Sequence, residues 1–293
     1  MYDAEPTTTH AAMASPWLSE SAFVSALNAV HDRGYVIIEN AMSLEDCRQY
    51  RDELERHMAQ SPRGRNVFEG TSSHRLYALL AKSETFAAMI EHPLALAFAE
   101  HFLGESCLLS ACLSINLHPG ESVQPWHTDD AHIGVAHPHE IFGVSVFWAL
   151  DETTVLNGAT EVLPYSHRWA DSELQGMLQG MLQDEHFTQT ETVGEDSHGA
   201  LDSVHAAMPA GSIMIMRSDV WHRGGANRSE TDRLIVTPQY CAGWARQLEN
   251  MLLAVPAERA RVLPKRTQEL LGYSIHTPFM GYVDGMHPSR VLK

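Results

Sequence analysis

The stretch Gln124-Pro125-Trp126-His127-Thr128-Asp129-Asp130 carries an imidazole and a carboxylate two residues apart. On an extended strand this spacing turns both side chains to one face, where they form two corners of a metal site. The third corner must come from elsewhere in the chain. His222, in Trp221-His222-Arg223-Gly224-Gly225, is the best-placed donor. Two histidines and one carboxylate on one face of an ion leave three positions open, the arrangement used by non-haem Fe(II) oxygenases. His127-Thr-Asp129 is the only His-x-Asp in the chain, and it falls where a strand gives way to a loop, a usual seat for function.

Such chemistry needs two electrons from a cosubstrate, commonly 2-oxoglutarate, whose distal carboxylate wants a fixed, bidentate cation. Arg233 follows His222 by eleven residues and stands just before an expected strand, Leu234–Tyr240, that would return it to the metal. Arg228 is the rival, but its turn Ala226-Asn-Arg-Ser-Glu points to a solvated side chain. The competing reading of Arg233 is a surface ion pair with Glu230 or Asp232.

These residues need a scaffold. Residues 1–14 are small and polar and read as a disordered lead-in, and 15–293 as a single domain. Ser15-Pro16 reads as a helix entrance, with Phe23, Leu27 and Val30 inward and Gly34 as the stop. Tyr35–Ile38 reads as a buried strand, and Ser43 with Asp46 as the start of a second helix. Pro62–Ser73 reads as a mobile loop, followed by helices near 84–91 and 93–103. This makes a helical layer over about 15–105. From about 106 to 242 the chain turns to short β-prone segments: Cys107–Leu117, Ile141–Leu150, Thr160–Leu163, Ser203–Ala207, Ser212–Arg217 and Leu234–Tyr240. Many short strands without alternating helices imply an antiparallel sandwich or jelly roll. Asp171–Glu185 reads as a helical excursion, and Ala245–Leu253 and Lys265–Leu271 as C-terminal helices. The tail His276–Lys293 is placed to fold back over the barrel mouth.

A formal charge of −17 over 293 residues argues against nucleic-acid or anionic-membrane partners, which need a basic footprint. The four cysteines form no Cys-x-x-Cys pair and read as reduced. No apolar run is long enough to span a membrane, and no secretory signal opens the chain, so the cytoplasm is the expected compartment.

His127-Thr-Asp129, Asn157-Gly-Ala-Thr-Glu-Val-Leu-Pro164-Tyr-Ser-His167, His222 with Gly224, and Arg233 together resemble the phytanoyl-CoA dioxygenase family of Fe(II)/2-oxoglutarate oxygenases over roughly residues 20–245. The resemblance implies a mainly β fold with flanking helices, a double-stranded β-helix (jelly-roll, cupin-like) core under an α-helical N-terminal layer. It implies Fe(II) on His127, Asp129 and His222, with Arg233 holding 2-oxoglutarate and O2 as the oxidant. It also assigns Gln124, Thr160 and Arg75 to the cosubstrate site; for Arg75 a surface charge on a helix is the competing reading. Gly224 stands where several relatives carry Ser, and Tyr165 where Gly is usual. The carboxylate of Asp129 favours C–H oxidation over halogenation, since related halogenases lack it.

The expected substrate is a small, mostly apolar molecule, a secondary metabolite, oxidised with release of succinate and CO2. Phe68, Tyr77, His132 and Ile133 are candidate pocket residues, as are Phe142, Trp148, Trp221 and Trp244. His132, His137 and His139 raise a second metal patch, with a polar loop as the plainer reading. An acyl-CoA α-hydroxylase, a non-oxidative cupin-type isomerase or hydrolase, and a silent scaffold are the competing functions. A homodimer is possible, with one subunit roofing the other's pocket.

Overall fold

Side-chain caps open the first three helices of the chain. The computed structural model describes residues 7–59, 61–173, 176 and 203–293. Helix α2 (Glu20–Arg33) buries Phe23, Ala26, Leu27 and Val30 and ends at Gly34, whose φ of 95° is left-handed. A Cβ at Gly34 would meet Val220 Cγ2 at 2.3 Å, so both the turn and the packing require glycine there. The helix starts at Ser19, which accepts from the Ala22 amide at 3.2 Å, rather than at Ser15-Pro16. Helix α3 (Leu44–Met58) has the expected reciprocal cap: Ser43 Oγ accepts from the Asp46 amide at 3.1 Å and donates to its carboxylate at 2.6 Å.

One expectation changes at the start of the chain. Thr8–Ala14 is a helix, α1, not a disordered lead-in, because Ala14 is fully buried and His10 packs edge-on to His101 of α6 (Pro93–Leu103). Short helices α4 (Leu79–Lys82) and α5 (Phe86–Ile90) complete this layer. The Pro62–Ser73 loop, expected to be mobile, is anchored instead. Arg65 pairs with buried Glu69, and the Ser72 amide and Ser73 hydroxyl donate to Glu121 at 2.7 and 2.8 Å.

Among the described residues, nine strands follow the pattern of short β segments: β1 (Tyr35–Ile38), β2 (His74–Leu76), β3 (Leu108–Leu117), β4 (Gly143–Ala149), β5 (Thr160–Val162), β6 (Val204–His205), β7 (Ile213–Arg217), β8 (His222–Gly224) and β9 (Arg233–Cys241). The large sheet runs β1-β7-β4-β9-β3-β2 and the small one β6-β5-β8. Every pairing is antiparallel. This is the mainly β, jelly-roll core with helices outside that the sequence implied.

Two apolar clusters show how the sheets are used. Val144, Val146 and Trp148 of β4 and Leu234 and Val236 of β9 pack outward with the helices. Phe147, Met214, Met216 and Ile235 face the other way, towards Val162 of the small sheet. Strand alternation thus gives each long strand a helix-facing side and an interior side.

The expected Ala245–Leu253 helix shrinks to α7 (Met251–Ala254), followed by α8 (Ala257–Val262) and the expected α9 (Lys265–Leu271). Beyond Glu173 the Asp171–Glu185 excursion lies outside the described residues, Gly176 aside. No residue of the tail lines the main cavity. His276 bonds Ser106 Oγ at 2.7 Å, and Arg261 of α8 donates to the Leu292 carbonyl at 3.0 Å. No described helix is long and apolar enough to cross a membrane.

His92 is wedged between the rings of Trp17 and Trp148, at 4.4 and 4.8 Å, and burial holds it down from 6.5 to about 4. The unfolded chain takes up this proton first, so the contribution to stability is complete above pH 6.5 and is lost as pH falls towards 4. His92→Phe should flatten that slope by up to about 1.4 kcal/mol per pH unit, read from urea unfolding at a series of pH values.

Candidate active site

The segment 124–129 lies antiparallel beside 218–224, stitched by backbone bonds. The Gln124 amide donates to Gly224 O at 2.9 Å and that of Asp129 to Ser218 O at 2.8 Å. Between them His127 and His222 exchange both bonds, at 3.0 and 2.9 Å. Residues directly opposed in an antiparallel pair present their side chains to the same face. The two imidazoles therefore stand side by side, with ring centroids 4.3 Å apart.

Each ring is oriented by the carbonyl two residues back. His127 Nδ1 bonds Pro125 O and His222 Nδ1 bonds Val220 O, both at 2.9 Å. Since a carbonyl only accepts, Nδ1 carries the hydrogen in both rings and Nε2 offers its lone pair. Burial, reinforced by the neighbouring His222, holds His127 down at about 4, so its neutral, metal-binding form prevails near neutrality. Asp129 Oδ1 lies 3.7 Å from His222 Nε2, while Oδ2 accepts from Ser145 Oγ at 2.5 Å. One ligand atom from each of His127, Asp129 and His222 falls within 4.8 Å of the others. Three donors converge with a carboxylate oxygen left over, and this set fits a divalent ion of the iron class.

These residues open into a cavity of about 610 Å³ that also receives Arg233, Arg75, Gln124 and Thr160. Arg233 is 2% exposed. One of its terminal nitrogens donates to Gly158 O at 2.8 Å, and its buried Nε has no partner. Burial, with the nearby Arg75 cation, lowers its pKa to about 10. A sequestered guanidinium with an unused donor is expensive unless an anion meets it, so the residues present fit the distal carboxylate of 2-oxoglutarate. The competing surface ion pair does not form, as Asp232 is taken by Asn116 and His118 at 3.1 and 2.7 Å. Arg228 is exposed, as expected.

Arg75 sits on β2, not on a helix, and donates to the carbonyls of Glu69 and Phe68 at 2.7 and 3.1 Å. Gln124 links the same region to β8: its Nε2 donates to Phe68 O at 2.6 Å and its Oε1 accepts from the Gly224 amide at 2.8 Å. A Cβ at Gly224 would lie 2.7 Å from that Oε1, so the departure to glycine makes room for Gln124. Tyr165, where glycine is usual, keeps the left-handed turn at φ 66°, and its amide donates to Arg33 O at 2.9 Å.

Of the expected pocket residues, Phe68, Tyr77 and His132 line the cavity. Ile133, Phe142, Trp148, Trp221 and Trp244 do not. Trp148 is fully buried on the helix-facing side of β4 because it has the parity of Val144 and Val146, and Phe142 stacks on His139 instead. The residues missed were Ser145 and Phe147, on the opposite parity of β4, and Thr237 and Gln239, which continue the i, i+2 series from Arg233. That parity was the available signal. Trp126 points elsewhere, under the Arg223 guanidinium at 4.5 Å.

Ser145→Ala removes the hydroxyl that fixes Asp129 and should weaken Fe(II) binding roughly 10- to 100-fold with the fold intact. Anaerobic competition against a chelator, with circular dichroism as control, checks this; unchanged affinity would show that Asp129 needs no such support.

The phytanoyl-CoA dioxygenase (PhyH) family profile matches residues 30–235. Dioxygenase af480 of Aspergillus fumigatus is 27% identical over 259 residues, 86% of this chain and 76% of that protein. Dioxygenase cnsJ of Penicillium expansum is 26% identical over 294 residues, 91% of this chain and 81% of that protein. Among solved structures, the non-heme alpha ketoglutarate dependent epimerase SnoN from nogalamycin biosynthesis superposes with a TM-score of 0.59 at 19% identity, covering 76% of this chain and 83% of its own. The carbocyclase SnoK from the same biosynthesis gives 0.56 at 17%, covering 82% and 87%. The chain belongs to the phytanoyl-CoA dioxygenase family and is an Fe(II)/2-oxoglutarate-dependent dioxygenase.

Proposed function

We propose that His127, Asp129 and His222 hold Fe(II), that Arg233 clamps 2-oxoglutarate, and that the enzyme oxidises a C–H bond of a small, mostly apolar secondary metabolite. The observation that carries this reading is Arg233: an almost wholly buried cation, with an unpaired Nε–H, lines the same cavity as the three ligands. Fe(II) held there would bring 2-oxoglutarate and O2 together, with O2 as the oxidant: 2-oxoglutarate would give up two electrons and take one oxygen atom, leaving as succinate and CO2, and the other oxygen atom would go to the substrate C–H bond. The protein positions and shields. Gln124 and Thr160 border the cosubstrate end, and Phe68, packed 4.7 Å from the His127 ring, keeps water from the ligands.

The cavity wall favours an apolar substrate. Leu113, Ile115, Phe147, Ile235 and Leu248 provide much of it. Among the described lining residues the cations besides histidine are Arg75 and Arg233, both committed to the cosubstrate end, while Glu69, Glu121 and Glu249 are acidic. That wall offers no cradle for the phosphates of coenzyme A. The structural likeness to two enzymes of nogalamycin biosynthesis supports a natural-product substrate. Hydroxylation is the default outcome, with desaturation, epimerisation or rearrangement as other fates of the same substrate radical. Exposed Phe279, Tyr282 and Val283 on the tail offer an apolar surface for a homodimer.

Anaerobic Fe(II) plus 2-oxoglutarate should give a visible charge-transfer band that Asp129→Ala or His222→Ala abolishes. Arg233→Ala should retain iron yet raise the KM for 2-oxoglutarate by roughly 100-fold, within the range for truncating one partner of a buried charge pair. Succinate release across small apolar natural products and fatty acyl-CoAs then tests the substrate class, and robust acyl-CoA turnover would reverse it.

A further inference from the structure

A second constellation lies on the loop that leads from the first. Asp130 is 4% exposed; its Oδ2 accepts from Ser218 Oγ at 2.9 Å, and its Oδ1 is buried with no hydrogen-bond partner. His137 bonds the Asp171 carboxylate through Nδ1 at 3.0 Å, and its Nε2 is likewise buried and unpartnered. His139 bonds the Glu140 carbonyl through Nδ1 at 2.7 Å, leaving Nε2 3.9 Å from Asp130 Oδ2. The side chains of His137 and His139 are 10% and 6% exposed, and the two rings lie 4.6 Å apart. One ligand atom from each of the three residues falls within 4.8 Å of the others. None of the three lines the large cavity.

The bonds at Nδ1 fix the chemistry at Nε2. With Nδ1 protonated, each neutral ring turns a lone pair towards a buried carboxylate. Three acceptors facing one another, with the Ser218 hydroxyl the one donor beside them, repel, and a cation among them relieves this. A proton would do so by drawing His139 and Asp130 into a hydrogen bond of about 2.7–3.2 Å, and 3.9 Å is too long for one. A metal ion holds its ligands further apart: bonds of about 2.0–2.2 Å in a tetrahedron leave the ligand atoms roughly 3.3–3.6 Å from each other. A small side-chain movement closes the remaining gap. Asp171 behind His137 and the Glu140 carbonyl behind His139 are the outer partners that metal-bound histidines usually have.

We propose that Asp130, His137 and His139 bind a second divalent ion, of the zinc class, with water completing the tetrahedron. Its role is structural. Asp130 follows Asp129 directly, and the loop between Asp130 and His137 carries Ala131 and His132 into the cavity wall. An ion bound at 130, 137 and 139 pins both ends of that loop.

The test counts Zn(II) retained per metal-free full-length chain after reloading and gel filtration, by elemental mass spectrometry. Wild type should hold two equivalents. His222→Ala should lose one and keep the other, and His137→Ala/His139→Ala should lose the other while keeping the Fe(II)/2-oxoglutarate band. If that double variant does not fold, Asp171→Asn, on a half-exposed side chain, should weaken one equivalent at least tenfold without changing circular dichroism. A single wild-type equivalent lost with His222 but kept without His137 and His139 overturns the second site. A single equivalent that survives His222→Ala and disappears with His137 and His139 supports it and removes the first site instead.

Discussion

The interaction on which the site depends is the pair of backbone hydrogen bonds between His127 and His222. It lies at the margin of the small sheet, where a loop strand joins β8 and the Gln124 side chain bonds the Gly224 amide. Both residues bond through the peptide, so their side chains must share a face, and the carbonyls at 125 and 220 turn each ring the same way. A slip of one residue would send one imidazole to the opposite face. The flanking bonds at Gln124 and Asp129 hold the register from both sides.

The larger sheet divides its labour by parity. Even-numbered residues of β4 and β9 bind the helices, and odd-numbered ones furnish the interior, so the same strands build the core, present Phe147, Arg233 and Thr237 to the cavity and turn Ser145 to Asp129. This explains how a polar site survives in a domain core. The helices bury one face of the sheet, and the buried polar groups on the other face are satisfied by one another or kept for a ligand. Arg233 is the extreme case, a cation set among apolar strands with a donor unused.

Local departures from the family pattern are absorbed nearby. Gly224 leaves the space that the Gln124 amide fills, so the side chain that bonds β8 also reaches the Pro62–Ser73 loop at Phe68. Tyr165 accepts a left-handed backbone that glycine takes more easily, and the turn is kept by its bond to Arg33 at the end of α2.

The sequence by itself determined the strand and helix character of most segments, because alternation and caps are local. It also determined the likeness of His127, Asp129, His222 and Arg233 to one family, because that likeness lives in residue types and spacing. It did not determine parity relative to the core: Trp148 and Phe147 are adjacent aromatics, and only the packing of helices on one face of β4 decides which of them lines the cavity. Nor did it decide the start of the chain, where α1 is helical because α6 gives it an apolar seat. The short strands β2 and β8 carry too few residues to show a period, and their pairing partners lie some 40 and 60 residues away in the chain. Convergence of distant side chains is a property of register and sheet order, and those are fixed by long-range contacts that no local window contains.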